Sequence, residues 1–284
     1  MRRCNKALAA VALAVAGLSA PAAAQGGEDD RPTLALMGTV PIYWGEAAGL
    51  QELIHGDAPP HWARAQLEDH FALSPIDYLS AEALADHRYL LLAQPRGLSP
   101  EENVALDGWV RDGGQLLLFA DPMMTGESRF HLGDRRRPQD VALLSPILAH
   151  WGLDLSFDPQ QAAGLQAFDH HGTAMPVNMR GTLRYADDQT LCNIPGEGLL
   201  AHCNIGDGQA MVIADAAMLD LHGPHANAPE ALHWLVSHVF GEFGDHAGNR
   251  ASSTPQAADR TGNTASSDRA ANHDHHADHE IGCQ

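Results

Sequence analysis

Lysine is almost missing from this 284-residue chain: Lys6 is the only one. Every later cation is an arginine. Past residue 6 there is no Walker-type phosphate lysine, Schiff-base lysine or lysine general base to be had. Positive charge is scarce altogether, with 17 Lys+Arg against 36 Asp+Glu and a formal net charge of −19. So acidic a surface repels phosphate backbones, and no nucleic-acid partner is expected. Long hydrophobic runs are absent too. No segment after residue 24 is apolar over the roughly 20 residues needed to span a bilayer. The catalytic signatures are as thin as the charge. Gly-x-Ser-x-Gly, Gly-x-Gly-x-x-Gly and His-Glu-x-x-His do not occur, so hydrolase-elbow, dinucleotide and zincin chemistries have no motif behind them. Nor is there an internal repeat of fixed period.

What is present begins with a leader. Arg2, Arg3 and Lys6 precede the apolar run Ala7–Leu18, and Ala22-Ala23-Ala24 follows it. A basic start, a short apolar stretch and a small-residue site read as a secretory signal peptide over residues 1–24. The chain is therefore expected in the periplasm or secreted, free of a membrane span. Cys4 lies before the apolar run, so it is no lipid-attachment cysteine. Losing the leader removes three cations and no acid, which makes the exported chain more acidic still. Three cysteines remain. Cys192 and Cys203 flank a segment centred on Pro195-Gly196-Glu197-Gly198, which reads as a hairpin able to bring the two sulfurs together in an oxidising compartment. Two free thiols are the alternative. Cys283 is left without an obvious partner.

Hydrophobic residues make up 44% of the chain, enough for a real core. Residues 25–32 read as a disordered N-terminus and 33–244 as one α/β domain. Residues 33–37 read as a short buried strand, 59–70 as a helix and 71–78 as a second strand. The continuous runs Tyr89-Leu-Leu-Leu-Ala93 and Gln115-Leu-Leu-Leu-Phe-Ala120 suit central parallel strands covered on both faces. Between them, Ser99-Pro100-Glu101-Glu102 opens a helix with a capping box and a proline at its first position. Strand, capped helix and strand form a βαβ crossover. A helix is expected within 141–151, started or interrupted at Ser145-Pro146. Short segments rich in Pro and Gly over 153–203 indicate a small β-rich insertion. Gln209–Ala214 restores a buried strand, and residues 229–240 give a closing helix. The tail, 245–284, nearly lacks large apolar residues and reads as disordered.

The phrases Leu91-Leu-Ala-Gln-Pro-Arg96-Gly-Leu-Ser-Pro-Glu-Glu102, Leu106-Asp-Gly-Trp-Val110 and Gly113–Pro122 together resemble the auxiliary domain of gliding-motility-type ABC transporters. Ser145–Leu153 and Gly206–Asp215 extend the resemblance, which covers roughly residues 33–240. It implies a mostly parallel sheet flanked by helices, flavodoxin-like or class I amidotransferase-like. It also implies an extracytoplasmic accessory role beside ABC-transporter membrane subunits, without established chemistry. Where an amidotransferase-like fold would carry its cysteine, after Tyr89–Ala93, this chain has Gln94-Pro95.

Asp121 and Asp215 each follow a buried strand, and ligands in open α/β sheets bind outside such carboxyl ends. With Glu46, Trp44 and Arg96 they form the candidate ligand-binding set. The plainer expectation is that each aspartate caps the turn after it. Arg135-Arg136-Arg137 is the one cationic run, either an anion dock or a solvated loop. Histidine is the compositional anomaly, at 18 residues. In the tail, His273, His275, His276 and His279 alternate with acids and suit Zn, Ni or Cu. In the domain, Asp169-His170-His171 and His222–His225 are further loop candidates, while His233 and His238 lie five apart on the last helix. The leading expectation is an exported, non-catalytic accessory or ligand-binding protein of an envelope transport system. A periplasmic metal-binding protein acting through its tail is the alternative. A hydrolase-like enzyme using Asp121, Asp215 and Glu46 is the weaker one.

Overall fold

The two leucine-rich runs lie at the centre of a seven-stranded sheet in the computed structural model. The structure describes residues 31–47, 50–55, 59–187, 191–220 and 222–241. Along the first half run β1 (Thr33–Gly38), α1 (Leu50–His55), α2 (Trp62–Glu68), β2 (Ala72–Pro75) and α3 (Ala81–Leu84). Next come β3 (Tyr89–Ala93), α4 (Pro100–Arg111), β4 (Gln115–Phe119) and α5 (Ser145–His150). The remaining strands are β5 (Leu153–Phe157), β6 (Gln166–His170), β7 (Thr173–Val177), β8 (Gly181–Tyr185), β9 (Cys192–Asn193), β10 (Leu200–Ile205) and β11 (Gly208–Ile213). A 3-10 turn, Ala217–Leu219, and α6 (Ala228–Phe240) close the domain.

The sheet order is β2-β1-β3-β4-β11-β10-β9. The first five strands are parallel, and β10 and β9 add an antiparallel edge. The domain is thus mixed α/β, with a mostly parallel central sheet and flanking helices. Side chains alternate across it. Leu34, Leu91, Leu117 and Met211 face one way, into a core shared with α2 and α6. Ala35, Leu90, Leu116 and Val212 face the other way, toward α3, α4 and α5. With both faces covered, no polar alternation is needed, which is why these strands read as unbroken apolar runs. Each fully buried leucine contributes roughly 1.5–3 kcal/mol of transfer free energy.

Helix α4 starts as its sequence dictates. Ser99 Oγ accepts from the Glu102 N–H at 3.2 Å, and the Glu102 carboxylate accepts from the Ser99 N–H at 2.8 Å. Strand β2 is shorter than 71–78, since it is an edge strand ending at Pro75, whose ring removes a ladder donor. The insertion needs a larger correction. Its strands β5 and β8 pair with each other, as do β6 and β7, but β9 and β10 belong to the main sheet. Antiparallel pairing places Cys192 directly opposite Cys203, and the two form a disulfide.

The chain divides into two units, Met1–Phe243 and Gly244–Gln284. The leader and the tail, with His273, His275, His276, His279 and Cys283, lie outside the described residues. Among the described residues no helix is long and apolar enough to cross a membrane.

Candidate functional site

After β1 the chain moves to β2 on one side, and after β3 it moves to β4 on the other. In open α/β sheets the crevice outside the carboxyl ends at such a reversal is where ligands bind. The backbones meet closely there: a Cβ on Gly38 would lie 2.1 Å from the Ala93 carbonyl oxygen. Only glycine fits. Just beyond, Gln94 takes a left-handed conformation, φ 49°, with its side chain wholly buried. Its Nε2 donates to the carbonyls of Asp121 and Gln139, both at 2.9 Å, and its Oε1 accepts from the Asp121 N–H at 2.7 Å. The Thr39 hydroxyl donates to the Gln94 carbonyl and accepts from the Gln139 N–H. Gln94 therefore ties the end of β3 to the end of β4 and to the loop that crosses above them.

Asp121 and Asp215 are brought together. Phe119 and Ile213 are register partners on parallel strands, so the aspartates two residues later emerge side by side. Both are buried. Asp121 accepts from the N–H groups of Met123 (2.8 Å) and Ala216 (3.0 Å). Asp215 accepts from those of Ala217 (2.7 Å) and Asn178 (3.0 Å). Each carboxyl thus caps its own following turn and pins a second segment. Burial pushes the Asp121 carboxyl up to about 6, although the two N–H donors oppose the rise. Burial, and then the charge of Asp121 beside it, hold Asp215 well above the ordinary carboxylate range.

Glu46 does not join them. Its carboxylate accepts from the Ser128 hydroxyl and the Arg129 N–H, and the Arg129 guanidinium donates to its carbonyl. A three-carboxylate acid/base centre is therefore not assembled, because Glu46 is committed to the loop after β4. Trp44 is 58% exposed and meets Tyr43 edge-on. Arg96 also lies elsewhere, forking onto both oxygens of Glu102 at 2.8 Å over the start of α4. Burial alone would raise the Glu102 carboxyl, but Arg96 and the N–H groups of Ser99 and Leu79 hold it below its ordinary value. The arginine run folds onto its own loop: Arg136 pairs with Asp134 and stacks on Phe130, and Arg137 pairs with Asp140.

The cavity in this region includes two residues that the sequence singled out, Glu46 and His222, among others that it did not. About 410 Å³ is enclosed by Glu46, His61, Glu127, Ser128, Arg129 and His222, with Gly45, Pro59 and Pro60 completing the wall. His61 caps α2. Its Nδ1 accepts from the Ala63 N–H, so Nε2 carries the proton and donates to the Leu219 carbonyl at 2.9 Å. Burial lowers its pKa, and the imidazole is neutral. Arg129 lies 3.8 Å from Glu46 and 3.6 Å from Glu52. A wall whose one guanidinium is already paired with carboxylates, and which also carries Glu127, suits neutral or cationic polar ligands better than phosphates. His222 was among the loop candidates, whereas His61 was read as part of a helix over 59–70 and Glu127 carried no local signal.

No family model and no curated protein matches the chain. Solved structures do. The exo-β-1,4-mannosidase Op5Man5 from Opitutaceae bacterium strain TAV5 is 15% identical at a TM-score of 0.41, covering 74% of this chain and 34% of that one. The mmIFT52 N-terminal domain is 14% identical at 0.43, covering 72% and 97%. Gan42B, a GH42 β-galactosidase from G. stearothermophilus, is 14% identical at 0.42, covering 73% and 30%. This chain spans about a third of each glycosidase. The expectation that the chain is not an enzyme is corrected here, because glycosidases stand among these matches. With TM-scores below 0.5, the matches pass no substrate, residue or reaction to this chain.

Proposed function

We propose that the chain is an exported ligand-binding accessory domain of an envelope ABC-type transport system, with a flavodoxin-like core. The supporting observation is the cavity walled by Glu46, His61, Glu127, Arg129 and His222 beside the strand-order reversal at β1 and β3. That is the ligand end of a flavodoxin-like sheet, whose strand order 2-1-3-4-5 corresponds to β2-β1-β3-β4-β11 here. The transport assignment rests on the resemblance of residues 33–240 to the auxiliary domain. The ligand is small, polar, and neutral or cationic. The tagged protein is captured from crosslinked envelope extracts and its partners are identified by mass. Recovery of an ATPase and a permease subunit of one transporter is the expected result. Repeated recovery of the protein without either subunit overturns the transport assignment.

A further inference from the structure

Away from the strand ends, a face built from β6, β7, β10 and α6 gathers four imidazoles that the proposed function does not use. His170 and His171, at the β6–β7 turn, have ring centroids 4.5 Å apart. His202 on β10 and His238 on α6 are 5.2 Å apart, with their planes at 70°. Trp234 joins the two pairs. It stacks on His238 at 4.7 Å and 16°, and meets His170 edge-on at 5.2 Å. The sequence separates these residues widely; the His233/His238 spacing on α6 alone offers no pair. The tertiary structure makes one by laying the last turn of α6 beside β10.

We propose that His202 and His238 form a two-histidine site for a divalent transition metal, zinc or copper(II). Ring spacing is the first support. With a metal–nitrogen bond of about 2.0–2.1 Å and a tetrahedral angle, two imidazoles sharing one ion have centroids about 5 Å apart. The 5.2 Å pair needs little movement to reach that arrangement. Space is the second. The two rings line a cavity of about 120 Å³ that also touches Asn204 and Gln209, which is room for an ion and its remaining waters. Rigidity is the third. His202 adjoins the disulfide at Cys203, and Trp234 holds the His238 ring from behind, so little ordering entropy remains to be lost on binding.

Among the described residues no group of three or more His, Cys, Asp or Glu side chains is close enough to hold an ion. The protein therefore supplies two ligands and solvent supplies the rest, giving an open and moderate-affinity site.

The test separates this pair from the tail histidines. Thermal unfolding of the full chain is followed with and without about 0.1 mM zinc. The same is done for His238→Ala, for His202→Ala, and for a variant with His273, His275, His276 and His279 all changed to Ala. Because ligand bound by the folded state alone raises Tm, a rise of about 3–5 °C is expected in the parent and in the tail variant. Neither His238→Ala nor His202→Ala should show it. His238 is exposed, so its truncation leaves the fold intact, and each variant is read against its own zinc-free Tm. The proposal is overturned by a parent without a rise, by a rise that survives in either single variant, or by a rise lost in the tail variant.

Discussion

The rim above β4 and β11 and the histidine face beside α6 both draw titratable groups out of water, Asp121 and Asp215 at the one and His170 and His202 at the other, yet they satisfy them differently. At the rim, every carboxyl oxygen of Asp121 and Asp215 accepts a backbone N–H. On the histidine face the imidazoles rest mainly on each other and on Trp234. Desolvation favours the neutral form in both, which raises the acids and lowers the bases. The rim thus gives each carboxyl oxygen a backbone partner. The histidine face keeps ring nitrogens available for an ion.

The largest effect that would break this contrast is expected at Gln94. Gln94→Ala removes three hydrogen bonds and leaves the buried Asp121 N–H and the part-buried Gln139 carbonyl unpaired, while the Asp121 carbonyl keeps the Ala142 N–H. A loss of about 3–5 kcal/mol in denaturant-derived stability is expected. A loss under about 1 kcal/mol would mean that the rim is not held by this side chain. Next comes the disulfide beside the histidine face. Cys203→Ser opens a loop of sequence separation 11, and chain entropy predicts a loss of about 2–3 kcal/mol. Equal stability of the oxidised parent and the variant would contradict it.

The smallest effect sharpens the comparison most, because the two regions act oppositely over one pH range. A carboxyl raised to about 6 gives stability that is full below about pH 4 and lost as pH rises to about 6. A histidine lowered to about 4 gives stability that is full above about pH 6.5 and lost as pH falls toward 4. The two slopes partly cancel in the parent. Asp215 adds to the acid slope and His61 and His170 to the histidine slope, so each variant is read against the parent. Between about pH 4 and 6, Asp121→Asn should tilt the profile toward rising with pH and His202→Gln toward falling. Urea titrations at several pH values read both slopes. If both variants keep the parent profile, the opposition between the two regions is wrong.

How much was legible in the sequence follows from the range over which each feature is specified. Helix α4 and its flanking strands were readable because a capping box, an N1 proline and unbroken apolar runs act within a few residues of themselves. The Cys192–Cys203 bridge was readable because a tight turn sets the cross-strand pairing. Asp121 and Asp215 were found as strand ends, and their capping role followed from ordinary turn chemistry. Glu46 does line the candidate cavity, but it was wrongly grouped with Asp121 and Asp215, since its partners Ser128 and Arg129 lie more than 80 positions away. Arg96 was misplaced as well, because the open side of the Glu102 carboxylate shows only when the chain is folded. The edge strands β9 and β10 looked like part of the insertion, as nothing local says which sheet a hairpin joins.

By itself, the sequence determined a mostly parallel α/β core, its capped crossover helix, its cross-strand disulfide and an acidic surface almost without lysine. These depend on periodicity, capping and composition, which act locally or simply add along the chain. Only the tertiary structure decided that Gln94 staples the strand ends, that the polar cavity lies among Glu46, His61 and Glu127, and that His202 meets His238. Each of those depends on side chains far apart in sequence meeting at one place, and that meeting is decided by how both faces of the sheet are covered.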